Sequence, residues 1–160
     1  MRNPTLKMVA RTVILGALLV GCSGQDQLTH EELVSKANGI CAEPIAQAQM
    51  VMGQPGMSTA ELTTWGTSVA EAAPGIQAMS QALGALDPSS DDKATYSDMV
   101  AEYQSLGDTL QNAGEAAASG DMNMLTMNAT GSAEAASQAS KDANQLGIDQ
   151  CVAITMGNMG

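Results

Sequence analysis

The residue types able to do chemistry are few: one histidine, three cysteines, twelve methionines and seventeen carboxylates in 160 residues. His30 has no partner for a Ser/His/Asp or Cys/His relay of the ordinary kind and reads as a solvated residue beside a helix start. C-x-x-C-H haem attachment, zinc-ligand spacings and a Gly-rich phosphate loop are missing from the sequence, and the glycines read as turn punctuation. Glu31-Glu32 and Asp91-Asp92 could in principle work as acid and base. They fall where first helical turns are expected, and acids there complement the positive end of the helix. A di-metal carboxylate bundle would need inward Glu-x-x-His pairs, which this sequence does not contain.

Methionine is the unusual feature. Ten of the twelve follow residue 22, and eight of these cluster at Met50, Met52 and Met57, at Met122, Met124 and Met127, and at Met156 and Met159. Thioethers are soft ligands that select Cu(I), which makes Met50, Met52, Met122 and Met124 the candidate metal ligands. Sulfurs two residues apart on a helix point about 200° away from each other, so one M-x-M motif cannot chelate alone. The site would require the turn after the first helix to meet the start of the fourth. The competing readings are core filler, as for Met79 and Met99, and an adaptable protein-contact patch near the turns.

The first segment reads as a processing signal. Arg2, Lys7 and Arg11 form a positive region, and Thr12 to Val20 (TVILGALLV) an apolar run. Nine apolar residues are too few for a bilayer core of ~30 Å, which needs about 20. The run ends in Leu19-Val20-Gly21-Cys22, followed by Ser23-Gly24-Gln25. This resembles the lipobox of bacterial lipoproteins. The resemblance implies removal of residues 1–21, thioether lipidation of Cys22 and a short lipidated tether over 22–28. A membrane partner through the N-terminal lipid follows, at the extracytoplasmic face of a cell membrane or an outer membrane; acyl chains contribute ~0.8 kcal/mol per buried CH₂. Ser23 is not the Asp that would retain a lipoprotein at an inner membrane.

Six bases against seventeen acids give the whole chain a net charge of −11. After removal of 1–21, only Lys36, Lys93 and Lys141 oppose the seventeen acids, a net of −14. Such a surface repels nucleic acid, and one Trp, two Tyr and no Phe leave little for base stacking.

Residues 29–160 read as a single all-α domain, an antiparallel four-helix bundle with kinked helices. The first helix is expected over His30–Met52, capped by Thr29 with Glu32 and facing inward through Leu33, Ala37, Ile40, Pro44, Ala48 and Val51. Gly39 and Pro44 predict a kink near residue 40. A second box, Ser58 with Glu61, opens a seam at Leu62, Trp65, Val69, Ala72, Ile76, Met79, Leu83 and Leu86, with a kink rather than a stop at Pro74-Gly75. Ser89 or Ser90 is expected to cap the third helix, whose seam is Tyr96, Met99, Tyr103, Leu106, Leu110, Ala113 and Ala117. The fourth begins near Asp121 and runs through Met122, Leu125, Ala129, Ser132, Ala136, Ala139, Ala143 and Leu146; its small side chains predict close approach to its neighbours. Gly147 is expected in a left-handed cap followed by an apolar contact from Ile148.

With Cys22 lipidated, Cys41 and Cys151 are left as an even pair in an exported, oxidising compartment, and a disulfide is expected. It would bridge the first helix and the end of the fourth, which can be neighbours in an antiparallel bundle. Closing a loop this long is worth roughly 4–5 kcal/mol in the chain-entropy account. Ala37-Asn38-Gly39-Ile40-Cys41-Ala42 together with Leu146-Gly147-Ile148-Asp149-Gln150-Cys151 is also similar to a pattern in small exported helical proteins of actinobacteria. That resemblance implies a Cys-to-Cys staple and carries over no active site. The expectation is a lipid-anchored, non-enzymatic envelope binding or structural protein without a cofactor and with a protein or envelope partner, soft-metal binding by the Met clusters being the alternative.

Overall fold

A computed structural model describes residues 27–51 and 58–152. Helices α1 (His30–Val51), α2 (Thr59–Gly84), α3 (Lys93–Ser119) and α4 (Met122–Leu146) follow one another, and a 3₁₀ turn, Asp149–Cys151, closes the described chain. The domain is an all-α helical bundle; among the described residues the nearest thing to sheet is one isolated bridge between Leu28 and Pro88. The segments read as signal peptide and most of the tether, Cys22 included, lie outside the described residues, as do Met52, Met57, Met156 and Met159.

Three of the four helices start where a side chain satisfies an open backbone donor. Thr29 Oγ1 accepts from Glu32 N at 3.3 Å, and Glu32 returns a carboxylate oxygen to Thr29 N at 3.0 Å. Ser58 and Glu61 repeat the arrangement at α2. Asp121 accepts from Met124 N at 3.0 Å to open α4. For α3 the expectation of a serine cap is corrected: the N-cap position is Asp92 and no side chain caps it, while Ser89 accepts from Asp92 N and donates to the Asp92 carboxylate within the preceding turn. The ends of α3 and α4 use left-handed glycines, Gly120 at φ 71° and Gly147 at φ 69°. At each, the N–H groups of the glycine and of the next residue donate back to last-turn carbonyls, as Gly147 N to Asn144 O and Ile148 N to Ala143 O do, and Ile148 is fully buried. Both α1 and α2 run without interruption through Pro44 and Pro74.

Antiparallel register is read from facing residues. Between α2 and α3, Gly66 meets Ala113 and Ala117, Ala70 meets Gly114, Gln77 meets Gly107, and Gly84 meets Val100. Between α3 and α4, Gly131 meets Thr109, and Gln145 bonds Thr95. The α3 seam is buried at all seven expected positions. Most of the α2 and α4 seam positions are buried, with Leu62, Ala72, Leu86, Met122 and Ala129 only half-buried.

Helix α1 departs from expectation in two ways. Its buried line is Leu33, Ala37, Cys41, Ile45 and Ala48, while Ile40 and Pro44 sit half-buried beside it. The face is turned by about one residue, because the cross-link at Cys41 points inward. The helix also packs on α2 and on the 3₁₀ turn, and not along α4. Three glycines, Gly66, Gly107 and Gly114, lie mid-helix where α2 and α3 meet. A Cβ on Gly66 would come within 2.6 Å of Ala117 Cβ, and one on Gly107 within 2.7 Å of Gln77 Cγ. The approach that depends on the missing side chain is thus α2 to α3. At Gly131 of α4 an added Cβ would meet Thr109 at an ordinary 3.4 Å.

Candidate functional site

Two constructions gather the polar chemistry of the domain. The first is where the chain enters the bundle. Leu28 N donates to Asp87 O at 2.8 Å, so the backbone just before α1 is laid against the α2–α3 connection. His30 then places Nδ1 3.1 Å from both carboxylate oxygens of Asp92. His30 is therefore paired rather than merely solvated. Its side chain is 55% exposed against 14% for Asp92, so the pair is a surface clasp with one sheltered side. Lys93 lies 3.8 Å from Asp87 on the same connection. Asp92 accepts from both Ser89 and His30, which commits its carboxylate to holding the entry in place rather than to proton transfer.

The second is the staple. Cys41 and Cys151 are disulfide-bonded with Cα atoms 5.0 Å apart, and both are fully buried. The 3₁₀ turn carrying Cys151 is held from two sides. Gln150 N donates to Asn38 Oδ1 of α1 at 2.8 Å, and the Tyr103 hydroxyl of α3 donates to the Cys151 carbonyl. Tyr96, one helical repeat earlier, donates to the Leu83 carbonyl at 2.8 Å, and burial pushes its phenol well above the usual range. The two tyrosines of the chain are thus buried with their hydroxyls spent on backbone carbonyls. The sequence showed them as seam residues; their polar partners lie on other elements, and spacing carries no sign of them.

The two capping acids have displaced acidities. Glu32 is held below its usual 4.5 by hydrogen bonds from Thr29, and Glu61 by those from Ser58. Among the described residues no three of His, Cys, Asp and Glu gather as a metal cluster. Of the candidate copper ligands, Met122 is half-buried and Met124 is 46% exposed; Met52 and the side chain of Met50 lie outside the description, so that grouping has only one half on view.

A shallow groove of about 400 Å³ runs beside Gly84 between the end of α2 and the start of α3, floored by Val100 and edged by Asp87, Lys93 and Gln104. It continues past Ser80 toward Gln77, whose amide donates to Gln111 at 3.0 Å and to Asp108 at 3.3 Å. The Gln77 bonds tie α2 to α3, and the Ser80 hydroxyl donates to the Gln77 backbone carbonyl of its own helix. No protein-family model, curated protein or solved structure matches the chain.

Proposed function

We propose that this chain is a lipid-anchored extracytoplasmic protein, a non-enzymatic binding or structural component of a bacterial envelope. The observation that carries the reading is Leu19-Val20-Gly21-Cys22 placed directly after a basic region and a short apolar run. A buried cystine between the first helix and the end of the last supports it, since such cross-links persist in oxidising compartments. No helix among the described residues is long and apolar enough to cross a membrane, so in this reading the acyl chains do the anchoring.

The entry clasp gives the anchored form an orientation. Five residues lie between Cys22 and Leu28, and the six steps between those two can reach at most about 20 Å when extended. Leu28 is bonded to the α2–α3 connection, so that end of the bundle faces the bilayer. The 26 residues of α2 span about 39 Å, and the α3–α4 turn projects outward by that distance. Acids at the near end, Glu31, Asp87 and Asp91 among them, keep it from lying flat on anionic lipid.

Expression of the full chain in a bacterium, followed by mass spectrometry of the membrane fraction, tests the anchor. The expected N-terminal peptide begins at a lipidated Cys22; an intact residue 1 or a free Cys22 thiol overturns the reading. Cross-linking on intact cells identifies the partner, and specific substrate turnover by the purified protein would defeat the non-enzymatic assignment.

A further inference from the structure

Core packing accounts for the large apolar side chains of the described residues with two exceptions, Met124 at 46% and Met127 at 67% exposed. They stand three residues apart, hence on one face of α4, near its N-terminal end. Met79 and Met99 lie in the core at 2% and 0% exposure. Thr126 and Thr130, which line the same hollow as Met127, donate their hydroxyls to the backbone carbonyls of Met122 and Thr126 at 2.8 and 3.1 Å, so these donors are committed to the helix. The face therefore presents two soft nucleophilic sulfurs that the fold does not need.

We propose that Met124 and Met127 form a surface oxidation site that takes oxygen from hydroperoxides while the bundle stays folded. The thioether lone pair attacks the outer oxygen of the peroxide. An S–O bond forms and the O–O bond breaks; sulfur loses two electrons, and the proton on the transferred oxygen passes to the departing one, which leaves as water or an alcohol. The product is a methionine sulfoxide, which sulfoxide reductases can return to the thioether. The change turns the exposed apolar pair polar without placing a new atom in the core, so contacts made through this face become sensitive to oxidants. Core methionines are reached only when the helices open, and react more slowly by the cost of that opening.

The full-length protein, treated with hydrogen peroxide under native conditions and mapped peptide by peptide, tests this. Met127 is expected to gain one oxygen first and Met124 next, both at least about tenfold faster than Met79 and Met99. The far-ultraviolet dichroism and the thermal midpoint should stay unchanged. In guanidinium the four rates should converge. Met79 or Met99 oxidising as fast as Met127 in the native protein would overturn the assignment, as would loss of helix on modification of 124 and 127. A Met124→Leu/Met127→Leu variant should fold with the same midpoint and lose both rapid sites; rapid uptake redirected to Met79 or Met99 would also overturn it.

Discussion

Two glycines inside helices show how much a single position depends on its neighbour. A Cβ on Gly114 of α3 would collide with Ala70 Cβ and stand 3.3 Å from Ala70 Cα, with the Gly66 carbonyl at 3.4 Å. Backbone and a methyl cannot rotate away, so Gly114→Ala is expected to destabilise by about 1–3 kcal/mol through overpacking, outweighing its gain in helix propensity. Around Gly39 of α1 an added Cβ would meet nothing within 4 Å. There Gly39→Ala keeps only the propensity term and should stabilise by roughly 0.5–1 kcal/mol. Urea unfolding of the two variants checks both signs at once. Equal shifts in one direction would mean that the α2–α3 contact is looser than described.

At the scale of the element, helix starts are controlled by two carboxylates. Glu32 and Glu61 have acidities strengthened by hydrogen bonds from their capping partners, so their folded pKa lies below the usual 4.5. A depressed carboxylate stabilises the fold at pH above its unfolded value, and that contribution is lost as pH falls through the folded one. Thermal midpoints recorded from about pH 6 to about pH 3 should therefore fall toward the acid end. Glu61→Gln should flatten part of that fall, because a neutral amide holds the Ser58 backbone with no proton to gain. An unchanged acid limb in the variant would show that α2 begins without help from this carboxylate. Both boxes are exposed, so the effect is a modest one.

The molecule as a whole is a three-helix stack with a fourth helix clipped on. Helices α2, α3 and α4 pack in series, whereas α1 is held by α2, the Leu28 bridge, the His30–Asp92 pair and the cystine. A cross-link spanning 110 residues restrains the unfolded chain by roughly 4–5 kcal/mol in the entropic account. Cys41→Ser/Cys151→Ser should lower the urea midpoint by an equivalent amount. Amide hydrogen exchange should further show α1 losing protection before α3, since local opening begins where the fewest contacts hold. Uniform loss across all four helices would contradict this division. Because both sulfurs are buried, reductant should act on the native protein only as fast as that opening occurs.

Local rules in the sequence were enough for the helix count, the two capping boxes at Thr29 and Ser58, the left-handed Gly147, the complete α3 seam and the Cys41–Cys151 pairing. Capping boxes and 3–4 spacing involve residues within one turn of each other, and once Cys22 is read as the lipidation site the other two cysteines admit one pairing. What required the tertiary structure were relations between distant residues. These were the burial of Cys41 and Ile45 in place of Ile40 and Pro44, the docking of α1 on α2, the His30–Asp92 clasp and the seating of Gly114 on Ala70. Helix periodicity determines which residues share a face but leaves its rotation free by about one residue when alanines flank the seam on both sides. That rotation is set by whatever the face meets. Here the partner of α1 is a turn more than a hundred residues away, tied to it through sulfur.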